Sequence, residues 1–256
     1  MLLAVDIGNT NIVCGLFQEA KLLVHWRIQT ERHRTADEYW VLVQEFIRQT
    51  SADPSPIDAV IISCVVPPLV PVFQELSRKF FRTEALVVGP GIRTGISILY
   101  KNPQEVGADR IVNAVAGFEK YGGPLILVDF GTATTFDAVS AKGEYLGGAI
   151  APGVRISLEA LFRNTAKLAP VDLAAPSRVI GRSTMESIQS GAVFGFAGMI
   201  EHIVSGMQKE LEAKARVVGT GGLIHVIADK APVIDTVDEF LTLDGLLILY
   251  EKNRKS

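Results

Sequence analysis

The sequence predicts an α/β protein made of two copies of one βββαβαβα unit, and three observations carry that prediction. Residues 2–11 read LLAVDIGNTN and residues 125–134 read LILVDFGTAT, two apolar runs that each end in Asp, an apolar residue and Gly, then small hydroxyl or amide residues. Asp6 and Asp129 lie 123 positions apart, and so do Gly8 and Gly131. The segments after each run repeat one succession of strand-like and helix-like patterns. A period this long points to duplicated domains, not to a short-repeat array. The chain has 256 residues, enough for two small domains, and the repeat divides it at 1–115 and 116–256.

The elements follow in order. LLAVDIGNTNIVCGLF reads as strand, tight turn, strand, because Val, Ile, Leu and Phe favour strands and GNTN favours a turn. KLLVHWRIQT makes a third strand. TADEYWVLVQEFIRQ has helical spacing, with Thr35 as N-cap and Glu38 three residues on. SADPSP breaks that helix. IDAVIISCVV is a buried strand, PPLVPVFQELSRKFF a helix opened by prolines, and EALVVG a further strand. YKNPQEVGADRIVNAVAGFEK is a loop and then a helix. In the second copy GPLILVDFGTATTFDAVSAKGEYLGGAIAPG supplies three strands. VRISLEALFRNTA and STMESIQSGAVFGFAGMIEHIVSGMQKELEA are helical. ARVVGTGGL is a strand and a Gly-rich turn. LIHVIAD, APVID and DEFLTLDGLLILYEKN close the chain as helix, strand and helix.

Composition excludes several classes. A net charge of −3 offers no broad basic face for nucleic acid. An isoelectric point near 5.9 fits a cytoplasmic protein. No basic segment followed by an apolar one opens the chain, so no secretory leader is expected. No apolar stretch approaches the roughly 20 residues of a membrane helix. Cys14 and Cys64 sit in strand-like runs and read as buried, inert thiols. None of the four histidines has zinc-ligand spacing, and His202 reads as a packed histidine.

The Asp-x-Gly turns carry the chemistry. Gly lets a backbone approach phosphate without a Cβ in the way, and successive turn N–H groups form an anion-binding concavity. A carboxylate beside phosphates repels them unless a cation intervenes, so Asp6 is expected to hold Mg²⁺ through water. The two turns are expected to face each other across a nucleotide cleft and grip the β- and γ-phosphates of ATP. The plainer alternative is that Asp and Gly merely end a strand. GTGGL, with Gly219, Gly221 and Gly222, follows a strand and opens a helix, where base or ribose could lie against backbone. GADR, residues 107–110, opens a helix. Asp109 there is either a cap or a general base for a substrate hydroxyl. Arg110 would fork onto a carboxylate or amide oxygen of the same substrate. GGAIAPG is a strand end with a turn, and SGAVFGFAGMI a packing face and a dimer seam.

These residues resemble the acetate and sugar kinase, Hsp70 and actin superfamily, with its ribonuclease H-like, actin-like ATPase domains. More narrowly they resemble type III pantothenate kinase. The matching motifs are DIGNTN, GADR, DFGTATTFD, GGAIAPG, GTGGL and LTLDGL, in family order and over nearly the whole chain. The resemblance implies ATP-dependent phosphorylation of pantothenate to 4'-phosphopantothenate, the first step towards coenzyme A. It implies that Asp6, Ile7, Gly8, Asn9, Thr10, Asn11, Ile12 and Val13 form the first phosphate motif, and that Thr132 contacts ATP. Gly107, Ala108, Asp109 and Arg110 would hold pantothenate, with Asp109 as general base. Asp129 would bind a monovalent cation, K⁺ or NH₄⁺. Tyr100 and Thr184 would line the pantothenate pocket, Thr184 from a partner subunit of a homodimer. It also implies insensitivity to feedback by coenzyme A.

Three rivals stay open on the sequence. One is a kinase of the same fold acting on another small hydroxy acid. Another is a regulatory nucleotide-binding factor that does not turn over. The third, an actin-like filament former, needs insertions for which so short a chain leaves little room.

Overall fold

The structure is a computed structural model that describes residues 1–49 and 57–254. The SADPSP breaker lies outside the described residues. The chain groups into two compact units, and no single cut separates them. The first comprises Met1–Gly95, Lys101–Ala116 and Leu241–Ser256; the second comprises Ile96–Tyr100 and Gly117–Phe240.

In the first unit, β1 (Leu2–Ile7), β2 (Asn11–Gln18) and β3 (Lys21–Gln29) form an antiparallel meander. Helix α1 (Ala36–Gln49) follows, and its start is a reciprocal cap. The Glu38 N–H donates to Thr35 Oγ1 at 3.3 Å, and the Thr35 N–H donates to Glu38 Oε2 at 2.8 Å. Strand β4 (Ala59–Cys64) then pairs parallel to β1. The proline-opened helix after it changes pitch along its length: a 3₁₀ turn over Pro67–Leu69, α2 over Val70–Leu76, and a π turn over Ser77–Phe81. Strand β5 (Leu86–Val87) closes a sheet of order β3-β2-β1-β4-β5. Val5, Ile7, Tyr39, Val60, Ile62 and Phe73 belong to its core, with the Tyr39 and Phe73 rings 4.9 Å apart.

The second unit begins with an element the sequence did not announce, the two-residue strand β6 (Ser97–Ile98). Helix α3 (Ala108–Tyr121) starts in the first unit and ends in the second. Strands β7 (Leu125–Phe130), β8 (Ala133–Val139) and β9 (Glu144–Pro152) repeat the meander. Helices α4 (Val154–Arg163) and α5 (Thr184–Glu210) precede β10 (Arg216–Thr220), which pairs parallel to β7. Short α6 (Ile224–Ile227) and β11 (Thr236–Val237) complete a sheet of order β11-β10-β7-β8-β9-β6. From β9 to β11 this is the path of the first sheet, with β6 added at the edge. The expected duplication is therefore present.

β1 and β7 share one burial pattern. Each is buried throughout except at its fifth residue, Asp6 or Asp129. Central strands of such sheets are covered on both faces, so they read as unbroken apolar runs. The aspartate is the one interruption. On α5 the buried positions Ile188, Ala192, Val193, Ala197, Ile200 and Val204 recur at helical spacing. His202 falls on the opposite side and is exposed, contrary to the packed position expected for it. The strand expected over APVID forms only directly beyond it, at Thr236–Val237. Pro232 lacks an N–H, and the segment turns instead, with the Ile234 N–H donating to the Ala231 carbonyl at 3.0 Å.

Helix α7 (Leu241–Asn253) is last in the chain and belongs to the first unit, where it packs on β1 and β4. Gly245 explains the close fit. A Cβ there would overlap the Val112 carbonyl oxygen and come within 2.7 Å of Val112 Cγ1. Gly15 on β2 likewise leaves room for Leu243, whose Cδ1 would lie 2.9 Å from a Cβ at that position. Gly245→Ala should therefore destabilise the protein by about 1–3 kcal/mol in chemical denaturation, although alanine favours helix. An unchanged or raised midpoint would show that α7 tolerates displacement from α3.

Candidate active site

In the first unit the site is built at the carboxyl ends of the parallel pair β1 and β4. After Ile7 the chain turns through residues 8–11. The Gly8 N–H donates to the Asn11 carbonyl at 3.0 Å, and a Cβ at Gly8 would sit 2.9 Å from that same oxygen. The end of β3 buttresses the turn. Thr30 Oγ1 donates to the Gly8 carbonyl at 2.7 Å, the Thr30 N–H to the Thr10 carbonyl at 3.0 Å, and Arg32 to Asn9 Oδ1 at 3.4 Å. Asn9 and Thr10 are exposed at the tip, while Asp6 is half-buried behind them.

Asp6 is the register partner of Ser63 on β4. Ser63 is fully buried, and its hydroxyl has no hydrogen-bond partner among the described residues. Sequence reasoning passed over Ser63 because one serine in VIISC reads as strand filler. The only signal was a polar residue at a strand end beside the first Asp run. The two thiols flank the same place. Burial, with added repulsion from Asp6, pushes Cys14 far above its ordinary range; burial also raises Cys64. Both stay protonated at neutral pH, as expected of inert thiols.

Asp109 stands at the start of α3. Its Oδ1 accepts the Arg110 N–H at 2.8 Å. Gly107 makes that fold possible, since a Cβ there would lie 2.5 Å from Oδ1. Gly107 also approaches Val65, whose N–H donates to the Ile7 carbonyl at 3.0 Å. The GADR loop and the Asp6 turn thus share one end of one sheet, the end where ligands bind in open α/β folds. Desolvation raises the Asp109 pKa, and the backbone bond and charge of Arg110 only partly offset it. Arg110 itself is 7% exposed.

In the second unit the turns at Gly221 and Gly131 approach Asp129, and the turn at Gly153 packs on the backbone of Gly131 and Thr132. Gly221 adopts φ +95°, and a Cβ there would overlap Asp129 Oδ1 and lie 2.6 Å from the Phe130 nitrogen. Gly131 lies beside the same carboxylate, where a Cβ would stand 3.8 Å from Asp129 Oδ1, an ordinary contact. The Gly153 N–H donates to the Thr132 carbonyl at 3.1 Å, and a Cβ at Gly153 would come 2.7 Å from the Gly131 oxygen. The sequence motifs DFGTATTFD, GGAIAPG and GTGGL are thus one constellation. Thr220 is the register partner of Asp129, as Ser63 is of Asp6. Gly219 lies inside β10 with Ile224 Cδ1 2.5 Å from its Cβ position, and Gly222 is exposed beyond Gly221.

Tyr100 and Thr184 lie elsewhere in the second unit. Tyr100 follows β6 and is half-buried. Thr184 opens α5 directly after its N-cap Ser183, whose hydroxyl accepts the Glu186 N–H. It is exposed and lines a groove with Ser157, Leu158, Leu161, Leu168 and Phe196.

Comparison with known proteins decides the family. The model of the type III pantothenate kinase family matches residues 2–206. A type III pantothenate kinase of Myxococcus xanthus is 52% identical over 256 residues, covering the whole of both chains. The chain belongs to the type III pantothenate kinase family. Among solved structures, a protein of Campylobacter jejuni assigned to the Baf family of transcriptional activators superposes with TM-score 0.62 at 18% identity, over 98% of each chain. An inorganic polyphosphate/ATP-glucomannokinase of Arthrobacter sp. strain KM superposes with TM-score 0.51 at 14% identity, over 96% of each. Such distant likenesses establish the actin-like kinase fold and nothing finer.

Membership in this kinase family implies ATP and a divalent cation. Among the described residues no cluster of three or more His, Cys, Asp or Glu could hold a metal. Mg²⁺ in kinase sites is commonly held by one or two carboxylates together with the substrate phosphates. Asp129 offers a half-buried carboxylate beside Gly221, a hard oxygen donor of the kind alkali cations take.

The raised Asp109 pKa also affects stability. The native state binds this proton more tightly than the unfolded chain does. Its contribution is therefore fully present below the unfolded carboxylate pKa and is lost as pH rises through the folded value. Asp109→Asn should accordingly raise Tm at neutral pH, with the gain shrinking as pH falls through the carboxylate range. A pH-independent Tm difference would show that the desolvation of Asp109 is relieved in the native state.

Proposed function

We infer that this chain transfers the γ-phosphoryl group of ATP to the primary hydroxyl of pantothenate, giving 4'-phosphopantothenate and ADP, the entry to coenzyme A. Family membership over the full chain supports the reaction. The observation that supports the site is Asp109: a half-buried carboxylate with elevated basicity, fixed at a helix start beside Arg110.

Asp109 accepts the hydroxyl proton as the hydroxyl oxygen bonds to the γ-phosphorus. The bond from that phosphorus to the β,γ-bridging oxygen breaks, ADP leaves, and the proton passes from Asp109 to solvent. Arg110, with Gly107 and Ala108, holds the acid end of pantothenate. The turn from Asp6 to Val13 and the turn at Thr132 present backbone N–H, hydroxyl and amide donors to the phosphates. Gly221 and Gly222 would admit the nucleoside close to backbone, whereas Gly219 is filled by Ile224 and serves packing. Asp6 would hold Mg²⁺ through water, and the ion would neutralise charge on the phosphates. Asp129 would take the monovalent cation, K⁺ or NH₄⁺. Because phosphoryl transfer passes through a loose transition state, positioning and charge count for more than base strength.

A homodimer completes the reading. Thr184 opens an apolar groove, and Gly191, Gly195 and Gly198 on α5 have open space where side chains would project. Met185 is 53% exposed nearby. A second copy covering this face would bury it and carry Thr184 to the substrate of its partner. ATP and pantothenate are metabolites of the cytoplasm, where the enzyme works.

A coupled ADP-release assay with pantothenate, run in Na⁺ and then in K⁺, tests the reaction. A nucleotide-binding regulator would bind ATP and release no ADP, and a kinase of another hydroxy acid would release it only with that acid. Asp109→Asn should lower kcat about 10²–10⁴-fold while ATP still binds; near-normal kcat would remove Asp109 from the base role. Asp129→Ala should abolish the K⁺ dependence, and a mutant that keeps it would place the cation elsewhere.

A further inference from the structure

Asp137 and Tyr145 take no part in the chemistry above, yet they form the most deeply buried polar pair of the second unit among the described residues. Asp137 is 1% exposed and Tyr145 is 0% exposed. A carboxylate removed from water is tolerated only when its oxygens are hydrogen-bonded. Here the Tyr145 hydroxyl donates to Asp137 Oδ1 at 2.7 Å, and Thr135 Oγ1 donates to Oδ2 at 3.3 Å. The bond to β8 fixes the rotation of the Tyr145 ring on β9.

Tyr145 in turn holds the segment that carries Tyr100. Strand β6 has only two residues, too few to keep an edge position unaided. Backbone bonds to β9 and its leading turn hold it, among them the Ser97 N–H to the Gly143 carbonyl at 3.1 Å and the Leu99 N–H to the Tyr145 carbonyl at 2.9 Å. The next residue is Tyr100. Its ring centroid lies 6.3 Å from that of Tyr145 at a tilt of 49°. Its edge lies over Gly147, where a Cβ would come within 3.3 Å of Tyr100 Cε2. Gly147 is at φ +120°, a conformation that suits glycine and leaves the floor of this slot bare. Tyr145 is the wall, Gly147 the floor, and Asp137 the anchor of the wall.

We propose that the Asp137–Tyr145 hydrogen bond is a positioning device that sets the Tyr100 ring for the acid substrate. The proposal rests on the reading of Tyr100 as a pantothenate contact. The pair acts through Tyr100 and leaves nucleotide binding to other residues.

The test is steady-state kinetics on the full chain with Tyr145→Phe, which keeps the ring and removes the bond. KM for pantothenate should rise about two- to tenfold, the span of one hydrogen bond's net contribution, with KM for ATP unchanged. In a Tyr100→Ala background the same substitution should add nothing. An unchanged pantothenate KM, equal rises in both KM values, or a full additional effect without Tyr100 would overturn the proposal. If Tyr145→Phe does not fold, Asp137→Leu, which keeps much of the volume and removes both acceptors, is read by the same criteria. Tyr100→Ala alone separates the two layers. An unchanged pantothenate KM there overturns the contact reading and the proposal together. A raised one, with Tyr145→Phe silent, overturns only the positioning.

Discussion

Each sheet must bring a carboxylate to the end of a strand that is otherwise sealed from water, and much of the local sequence serves that constraint. A central strand covered on both faces has no room for charge along its length. The charge sits one residue before the strand ends, at Asp6 and at Asp129. Immediately beyond it the backbone must turn back to form the next strand without a side chain intruding. Gly8 meets that need in the first sheet, where a Cβ would crowd the Asn11 carbonyl, and Gly221, from the neighbouring strand, leaves room for the Asp129 carboxylate itself. The register partners, Ser63 and Thr220, give each carboxylate a hydroxyl neighbour in place of an apolar one.

The duplicated fold was legible because its signal is local and repeated. The apolar runs, the Asp-x-Gly turns and the three-strand meanders recur at a fixed spacing, and each is written in contiguous residues. What was not legible depends on partners far away in the chain. Two residues at Ser97–Ile98 carry no strand pattern of their own and become β6 only because β9 offers an edge. The last helix reads as the end of the second repeat, but its contacts place it with the first unit. Gly245 was the available clue: a glycine inside a helical run marks a close approach, though not what is approached. In the site, GADR and the Asp runs stood out as motifs. Ser63, Asp137 and Tyr145 did not, because each is one polar residue within a strand and only the register shows what it faces.

The site also shows where function and stability pull apart. Asp109 is held in a place that disfavours its charge, and that same place makes it a better proton acceptor than an exposed aspartate. Gly107 lets the carboxylate fold back on the Arg110 amide, and Arg110, itself buried, supplies a positive neighbour. Burial raises the affinity of this carboxylate for a proton, and Arg110 opposes that rise only in part.

The position of α7 has a consequence for how the protein is made. Strands β1, β2 and β4 leave the ribosome before the second unit, but the helix that packs on them leaves it only after that unit. Until α7 has been made, one face of the first sheet has only water or a chaperone to meet it. The second unit, contiguous apart from the short strand β6, is under no such delay. The N-terminal half is translated first and is the last to be completed.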